Sequence, residues 1–265
     1  MTKLGVDVWS DIACPWCYIG KRRLESALAR VPHRDHVQGV WRAFELDPSA
    51  PRERDRSVSY AQRLASKYGS SVAQAESRIA RVVQIAAGEG LAFHFDRARS
   101  GNTFDAHRVI HMARRSGVQD AVKERLLRGY MTEGEPIGDP ETLARLAGEA
   151  GLDPDRVRAA LAGDAYAADV RRDEQEAAAL GIDGVPFFVF GGRYGVSGAQ
   201  PADLLLQALT RSWDELGPGA SGDAGAGAEP TGASQADGGS GDAEACGDAG
   251  CEVPARAAGP RTPSA

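Results

Sequence analysis

The feature that most restricts this chain is Cys14-Pro15-Trp16-Cys17, two cysteines two residues apart at a change of sequence pattern. Before them, Leu4-Gly5-Val6-Asp7-Val8-Trp9 is an apolar run that reads as a buried strand. After them, Leu24, Ala27, Leu28 and Val31 recur at the spacing of one helix face. Cys17 therefore falls in the first turn of a helix and Cys14 at its N-terminal edge. Pro15 takes the first helical position, where a missing N–H costs nothing. Unpaired N–H groups and the positive end of the helix dipole then face Cys14 and favour its thiolate. A cysteine at the helix edge is expected to be exposed and one inside the first turn covered. That makes Cys14 the attacking thiolate and Cys17 the resolving thiol of a thiol–disulfide exchange pair.

The same spacing is half of a zinc site. The other two ligands would have to be Cys246 and Cys251, far away in a Gly/Ala-rich tail, so a redox pair is expected and no metal. His107 and His111 share a helix face and could hold a metal, but no third ligand is evident. The plainer reading is two partly exposed helix histidines. Lys21, Arg22 and Arg23 read as the solvated side of the cysteine helix. Asp7, within the first strand, faces either the core or solvent.

Charge is uneven along the chain. Of the net −6, the segment from Gly217 onward carries −5, leaving −1 for residues 1–216. A nearly neutral body gives no argument for nucleic acid or an anionic membrane as a partner. The N-terminus has no apolar leader and no run is long enough to cross a bilayer, so the expected location is the cytoplasm. Structural disulfides are rare there, and a two-cysteine motif is more readily catalytic.

Val40-Trp41-Arg42-Ala43-Phe44-Glu45-Leu46 reads as a second strand, parallel to the first across a right-handed crossover. From about Ser57 to Leu180 the pattern is helical almost without a break. Leu91, Phe93 and Phe95 alternate as a short extended piece would, and Thr103 is placed to cap a helix. Asp139-Pro140 and Asp153-Pro154 each read as an N-cap followed by a first-turn proline. Strand signal returns at Phe187–Phe190, turns at Gly191-Gly192, and runs back over Arg193–Val196; Pro201 opens a last helix. These elements imply an α/β fold with a helical unit inserted at 57–180, between 1–56 and 181–216. Beyond Gly217 roughly two-thirds of the residues are Gly, Ala, Ser or Pro, the composition of a disordered tail, 217–265.

At this point the motifs resemble a known family. Asp11-Ile12-Ala13-Cys14-Pro15-Trp16-Cys17 after a strand, and Gly184-Val185-Pro186-Phe187 before one, resemble the DsbA-like branch of the thioredoxin superfamily. That branch places a helical domain inside the thioredoxin fold. Phe44-Glu45-Leu46-Asp47-Pro48, Asn102-Thr103 with Ala106-His107-Arg108, and Val196-Ser197-Gly198-Ala199-Gln200-Pro201 look like its FrnE-type subgroup. The resemblance implies a cis bond at Val185-Pro186, with the Val185 backbone lying beside the reacting sulfur as an edge on which substrate can pair. It also places Trp16 and Asn102 near the substrate. The periplasmic member carries a histidine between its cysteines; Trp16 cannot carry that charge, which implies a less oxidising pair suited to reduction or isomerisation of disulfides.

The implied function is a thiol–disulfide oxidoreductase acting on a protein or small-molecule disulfide. Its cofactor would be the redox-active cysteine pair alone, with glutathione or another thiol as reductant. Two rivals stand beside it. Glutathione-dependent 2-hydroxychromene-2-carboxylate isomerases share the helical insertion, but carry serine in place of the first cysteine and lack the second. The other is a non-enzymatic accessory role in a biosynthetic pathway. Cys246-Gly247-Asp248-Ala249-Gly250-Cys251 in the tail reads either as an accessory redox pair, because a glycine-rich spacer of four can bring two cysteines within disulfide range, or as exposed thiols of a disordered tail with weak metal affinity.

Overall fold

The computed structural model of the chain describes residues 3–217 and 251–252. Strand β1 (Leu4–Ser10) leads through a tight turn into helix α1 (Pro15–Ala29), and the chain returns as β2 (Val37–Ala43), parallel to β1 from Leu4↔Val37 to Ser10↔Ala43. Strands β3 (Phe187–Phe190) and β4 (Tyr194–Ser197) form a hairpin around Gly191-Gly192, both at positive φ, and β3 lies antiparallel on the other side of β1. A two-residue strand, β5 (Cys251–Glu252), pairs with β4, completing the order β2-β1-β3-β4-β5.

Alternation along β1 sends Val6 and Val8 to one face and Asp7 and Trp9 to the other. Val6 and Val8 join the main core with α1 and with Leu205 and Leu209 of helix α9 (Ala202–Leu216). Trp9 packs with Val189, Ala177 and Ile182 in a smaller cluster. β1 is buried on both sides, which fits its near-continuous apolar sequence. The second strand starts and ends three residues earlier than its β-formers suggest. Pairing with β1 stops at Ser10↔Ala43, and Phe44–Leu46 leaves the sheet to deliver the Leu46 N–H to the Asp11 carboxylate at 2.8 Å.

Between β2 and β3 run α2 (Tyr60–Tyr68), α3 (Val72–Gly88), α4 (Phe104–Arg115), α5 (Gln119–Arg128), α6 (Pro140–Glu149), α7 (Pro154–Ala162) and α8 (Ala167–Ala179). Asp139 and Asp153 cap α6 and α7 by accepting from backbone N–H groups, with Pro140 and Pro154 next in line. Leu91, Phe93 and Phe95 form no strand; all three are buried, and Phe95 stacks on Tyr60 at 4.6 Å between centroids. Thr103 sits at the N-cap of α4 but its side chain bonds Asp11 rather than capping the helix, and Asn102 Oδ1 accepts the Phe104 N–H instead. Among the described residues no helix is long and apolar enough to cross a membrane.

The outer edge of β2 is covered over its C-terminal half, from Val40 to Ala43. The Gln119 side-chain amide accepts from Trp41 N–H (3.1 Å) and donates to Trp41 C=O (2.9 Å), pairing with the strand as a neighbouring backbone would. Asp173 of α8 accepts the Ala43 N–H at 2.9 Å. Side chains of the helical segment thus satisfy the buried edge. Gln119→Ala should lower stability by about 2–6 kcal/mol, since two buried backbone groups lose their partners at about 1–3 kcal/mol each. Urea denaturation measures this.

Candidate active site

Cys14 is the N-cap residue of α1, with extended backbone (φ −91°, ψ 113°), and Pro15 is the first helical residue. The Cys17 N–H reaches the Cys14 carbonyl at 3.1 Å, closing the first turn. The Cys14 thiol donates to the Val185 carbonyl at 3.4 Å, and the Val185-Pro186 bond is cis. Gly20, one turn beyond Cys17, lets Pro186 close on α1: a Cβ there would stand 2.9 Å from Pro186 Cγ. The structure therefore brings Cys14, Cys17, Val185 and Pro186 together. It differs from expectation in one respect: Cys14 is only 4% exposed, against 0% for Cys17. The accessible face of the motif is Trp16, 38% exposed.

Beneath the pair lies a residue that sequence reasoning missed. Lys123 of α5 is fully buried; its ammonium donates to Ser10 C=O at 3.4 Å and faces the Trp41 ring at 5.6 Å. Among the described residues it has no carboxylate within ion-pair distance. Burial pushes its pKa down to about 8, while the nearby charges of Cys17, Asp11 and Cys14 pull the other way. Burial also pushes the Cys17 thiol well up, reinforced by Cys14 and opposed by Lys123 and by the Asp11 backbone N–H. A hidden acid and a hidden base thus lie within reach of each other's fields. Lys21, expected on the solvated side of α1, is buried on the same Trp41 ring at 5.9 Å. It survives there because Glu25, Asp120 and Glu124 surround it.

The two histidines of α4 are also buried, not partly exposed. His107 Nε2 stands 3.4 Å from Asp11 Oδ1, and His111 Nε2 stands 2.8 Å from Asp173 Oδ2. Each faces a carboxylate, and among the described residues no group of three or more potential ligands gathers for a metal. Burial lowers the His107 pKa despite Asp11. Asp7 is tied to Arg42 at 2.7 Å, and Arg42 reaches Asp173 as well.

Asn102 directs its polar atoms inward. Its amide donates to Glu45 Oε1 at 3.2 Å and to Pro48 C=O at 3.3 Å, so it holds the Glu45–Pro48 turn. Beside it opens a cleft of about 420 Å³, walled by Arg52, Phe104, Asp105 and Arg108, with neither cysteine in its lining. Glu45 shares the Arg171 guanidinium with Glu174, each at 2.7 Å. Burial, then hydrogen bonding with Glu174, raises the Glu45 pKa to about 7. Cys246 lies outside the described residues; the Cys251 backbone pairs with Gly195, two residues along β4 from Ser197, which faces Phe187 beside the cis proline.

Between pH 4.5 and 7 an unfolded Glu45 has released its proton while the folded one keeps it. The folded state binds more protons there, so this group's contribution to stability falls as pH rises through that window. Glu45→Gln should therefore flatten the decline in Tm between pH 5 and pH 7.5, as read by thermal denaturation.

Comparison with known proteins gives a consistent set of likenesses. The model of the DSBA-like thioredoxin domain matches residues 5–210. A crystal structure described as a probable DsbA oxidoreductase from Streptomyces coelicolor is 44% identical, superposes with a TM-score of 0.75, and covers 95% of this chain and 100% of its own. An uncharacterized Bacillus subtilis protein, YwbO, is 26% identical over 208 residues, 77% of this chain and 95% of that one. The cytosolic disulfide reductase DsbM of Pseudomonas aeruginosa, at 17% identity and a TM-score of 0.55, covers 78% of this chain and 98% of its own and shares the fold.

Proposed function

Because the chain belongs to the DSBA-like thioredoxin family, we propose that it is a thiol–disulfide oxidoreductase that reduces or isomerises disulfides through Cys14 and Cys17. The observation that carries this reading is the Cys14 sulfur at the N-terminus of α1, hydrogen-bonded to the Val185 carbonyl, with Cys17 one turn behind. Isolated helix donors and dipole favour a thiolate at that position. The Val185 backbone offers an extended substrate its pairing edge beside the sulfur.

In the first step the Cys14 thiolate attacks one sulfur of the substrate disulfide. A Cys14–substrate bond forms, the substrate S–S bond breaks, and the other substrate sulfur leaves as a thiolate that takes a proton from water. In the second, Cys17 passes its proton to the neutral Lys123 amine and attacks the Cys14 sulfur. The mixed disulfide breaks, the second substrate thiolate departs, and the enzyme is left as the Cys14–Cys17 disulfide. Two electrons have passed to the substrate, and a thiol reductant of the glutathione class restores the pair. A lysine near pKa 8 suits the acceptor role, because a tenth or so of it is neutral at pH 7 and the transfer crosses no solvent. With no cation on Trp16, reduction in the cytoplasm fits better than net oxidation.

Reduction of insulin by dithiothreitol, accelerated by the protein, tests the reading; a glutathione-dependent isomerase or an accessory protein would leave the rate at background. Cys17→Ser should accumulate mixed disulfides through Cys14, visible by mass spectrometry, and Cys14→Ser almost none. For Lys123→Met, resolution of a Cys14 mixed disulfide should slow at least tenfold at pH 7. In the parent protein the resolution rate should rise with pH and level near pH 8; in the variant it should keep rising. Stopped-flow release of a chromogenic thiol follows both. Removing an unpaired buried charge should also raise the variant's stability by about 1–3 kcal/mol, so slow resolution would not reflect unfolding.

A further inference from the structure

Asp11 stands three residues before the first cysteine and is 1% exposed. Its Oδ1 accepts the Ala13 N–H at 3.3 Å, its Oδ2 accepts the Leu46 N–H at 2.8 Å, and its backbone carbonyl accepts the Cys14 N–H at 3.4 Å. His107 Nε2 approaches Oδ1 from α4 at 3.4 Å. The acid is thus folded into the same turn as Cys14 and clamps that turn to the end of β2.

A carboxylate that accepts two backbone N–H bonds and faces an imidazole stays ionised despite burial. His107, His111 and Arg125 are cationic-type side chains in this interior, and the first two face Asp11 and Asp173 while Arg125 pairs with Glu133 and Glu149. No lysine or arginine lies within ion-pair distance of Asp11 among the described residues, and the Lys123 ammonium is the opposing charge that senses it without contact. A fixed negative charge on the residue whose carbonyl accepts the Cys14 N–H repels a second negative charge in the same turn, and burial leaves the repulsion little screened.

We propose that Asp11 is a positioning residue that sets the direction of exchange: its buried charge opposes the Cys14 thiolate and biases the cysteine pair towards acting as a reductant. The inference rests on the proposed role of Cys14. Because the thiolate belongs to the reduced protein and the disulfide carries no charge, opposing the thiolate favours the oxidised form, which is the condition for giving electrons away. The same carboxylate fixes the turn through Ala13 and Leu46, so charge and geometry act with opposite signs on the cysteine. That opposition makes the inference testable.

In Asp11→Asn the charge is gone and the side-chain shape is kept. Alkylation of Cys14 by iodoacetamide at pH 7 should become roughly fivefold to tenfold faster. The equilibrium with glutathione at pH 8.5 should move towards the reduced protein by a similar factor, a tenfold change being about 30 mV for a two-electron couple. Both shifts should persist in 0.5 M salt, because a buried charge is poorly screened. Loss of a purely structural clamp would instead draw Cys14 away from the helix N-terminus and slow alkylation. Slower or unchanged alkylation in a folded variant therefore overturns the proposal. Asp11→Ser, whose hydroxyl can still accept the Ala13 N–H, serves if the asparagine variant does not fold. If the parent protein shows no exchange at all, the functional reading fails; if the parent exchanges and neither variant gains reactivity, only the role of Asp11 does.

Discussion

The buried edge of β2 is the constraint on which the arrangement depends. A strand end covered by helices cannot leave its N–H and C=O groups without partners, and among the described residues no strand lies outside β2 to supply them. Gln119 and Asp173 do so with side chains, and this fixes where α5 and α8 sit against the sheet. One turn beyond Gln119 on the same face of α5 comes Lys123, which the docking sets at the end of β1 below the cysteines. The α4 helix repeats the device: His111 meets the Asp173 that seals the edge, and one turn back His107 meets Asp11. In each helix an anchoring residue and a residue beside the site are four apart. The chemistry below Cys14 is thus a by-product of sealing one strand.

The cysteine helix, its N-terminal proline, the parallel β-α-β start, the aspartate–proline caps and the closing hairpin were all legible, because each rests on contacts within a few residues. What escaped was every charged side chain inside. Lys21, Lys123, His107 and His111 carry the residue types of a solvated surface, and their burial depends on partners distant in the chain; Lys123 and Ser10 are 113 residues apart, Trp9 and Asp173 164. Periodicity could show that His107 and His111 share a face, but not that the face looks inward. Asn102 was placed near the site by resemblance and does lie beside the Glu45–Pro48 turn, yet its amide is occupied there. The register of β2 failed for a related reason: Phe44 and Leu46 are good strand formers, but pairing ends where β1 ends.

On the proposed reading, sulfur chemistry at this site is influenced by two buried charges of opposite sign that do not touch. An ion pair between Asp11 and Lys123 would cancel both fields at the cysteines. Kept apart, the carboxylate by two backbone N–H groups and the ammonium by a carbonyl and an aromatic face, each retains its own effect. The carboxylate belongs to the residue that closes the turn of Cys14, the proposed attacking cysteine. Among its charged neighbours the ammonium is coupled most strongly to Cys17, the proposed resolving cysteine. In the proposed exchange, separation of the charges lets one pair of sulfurs of identical chemistry take two different roles.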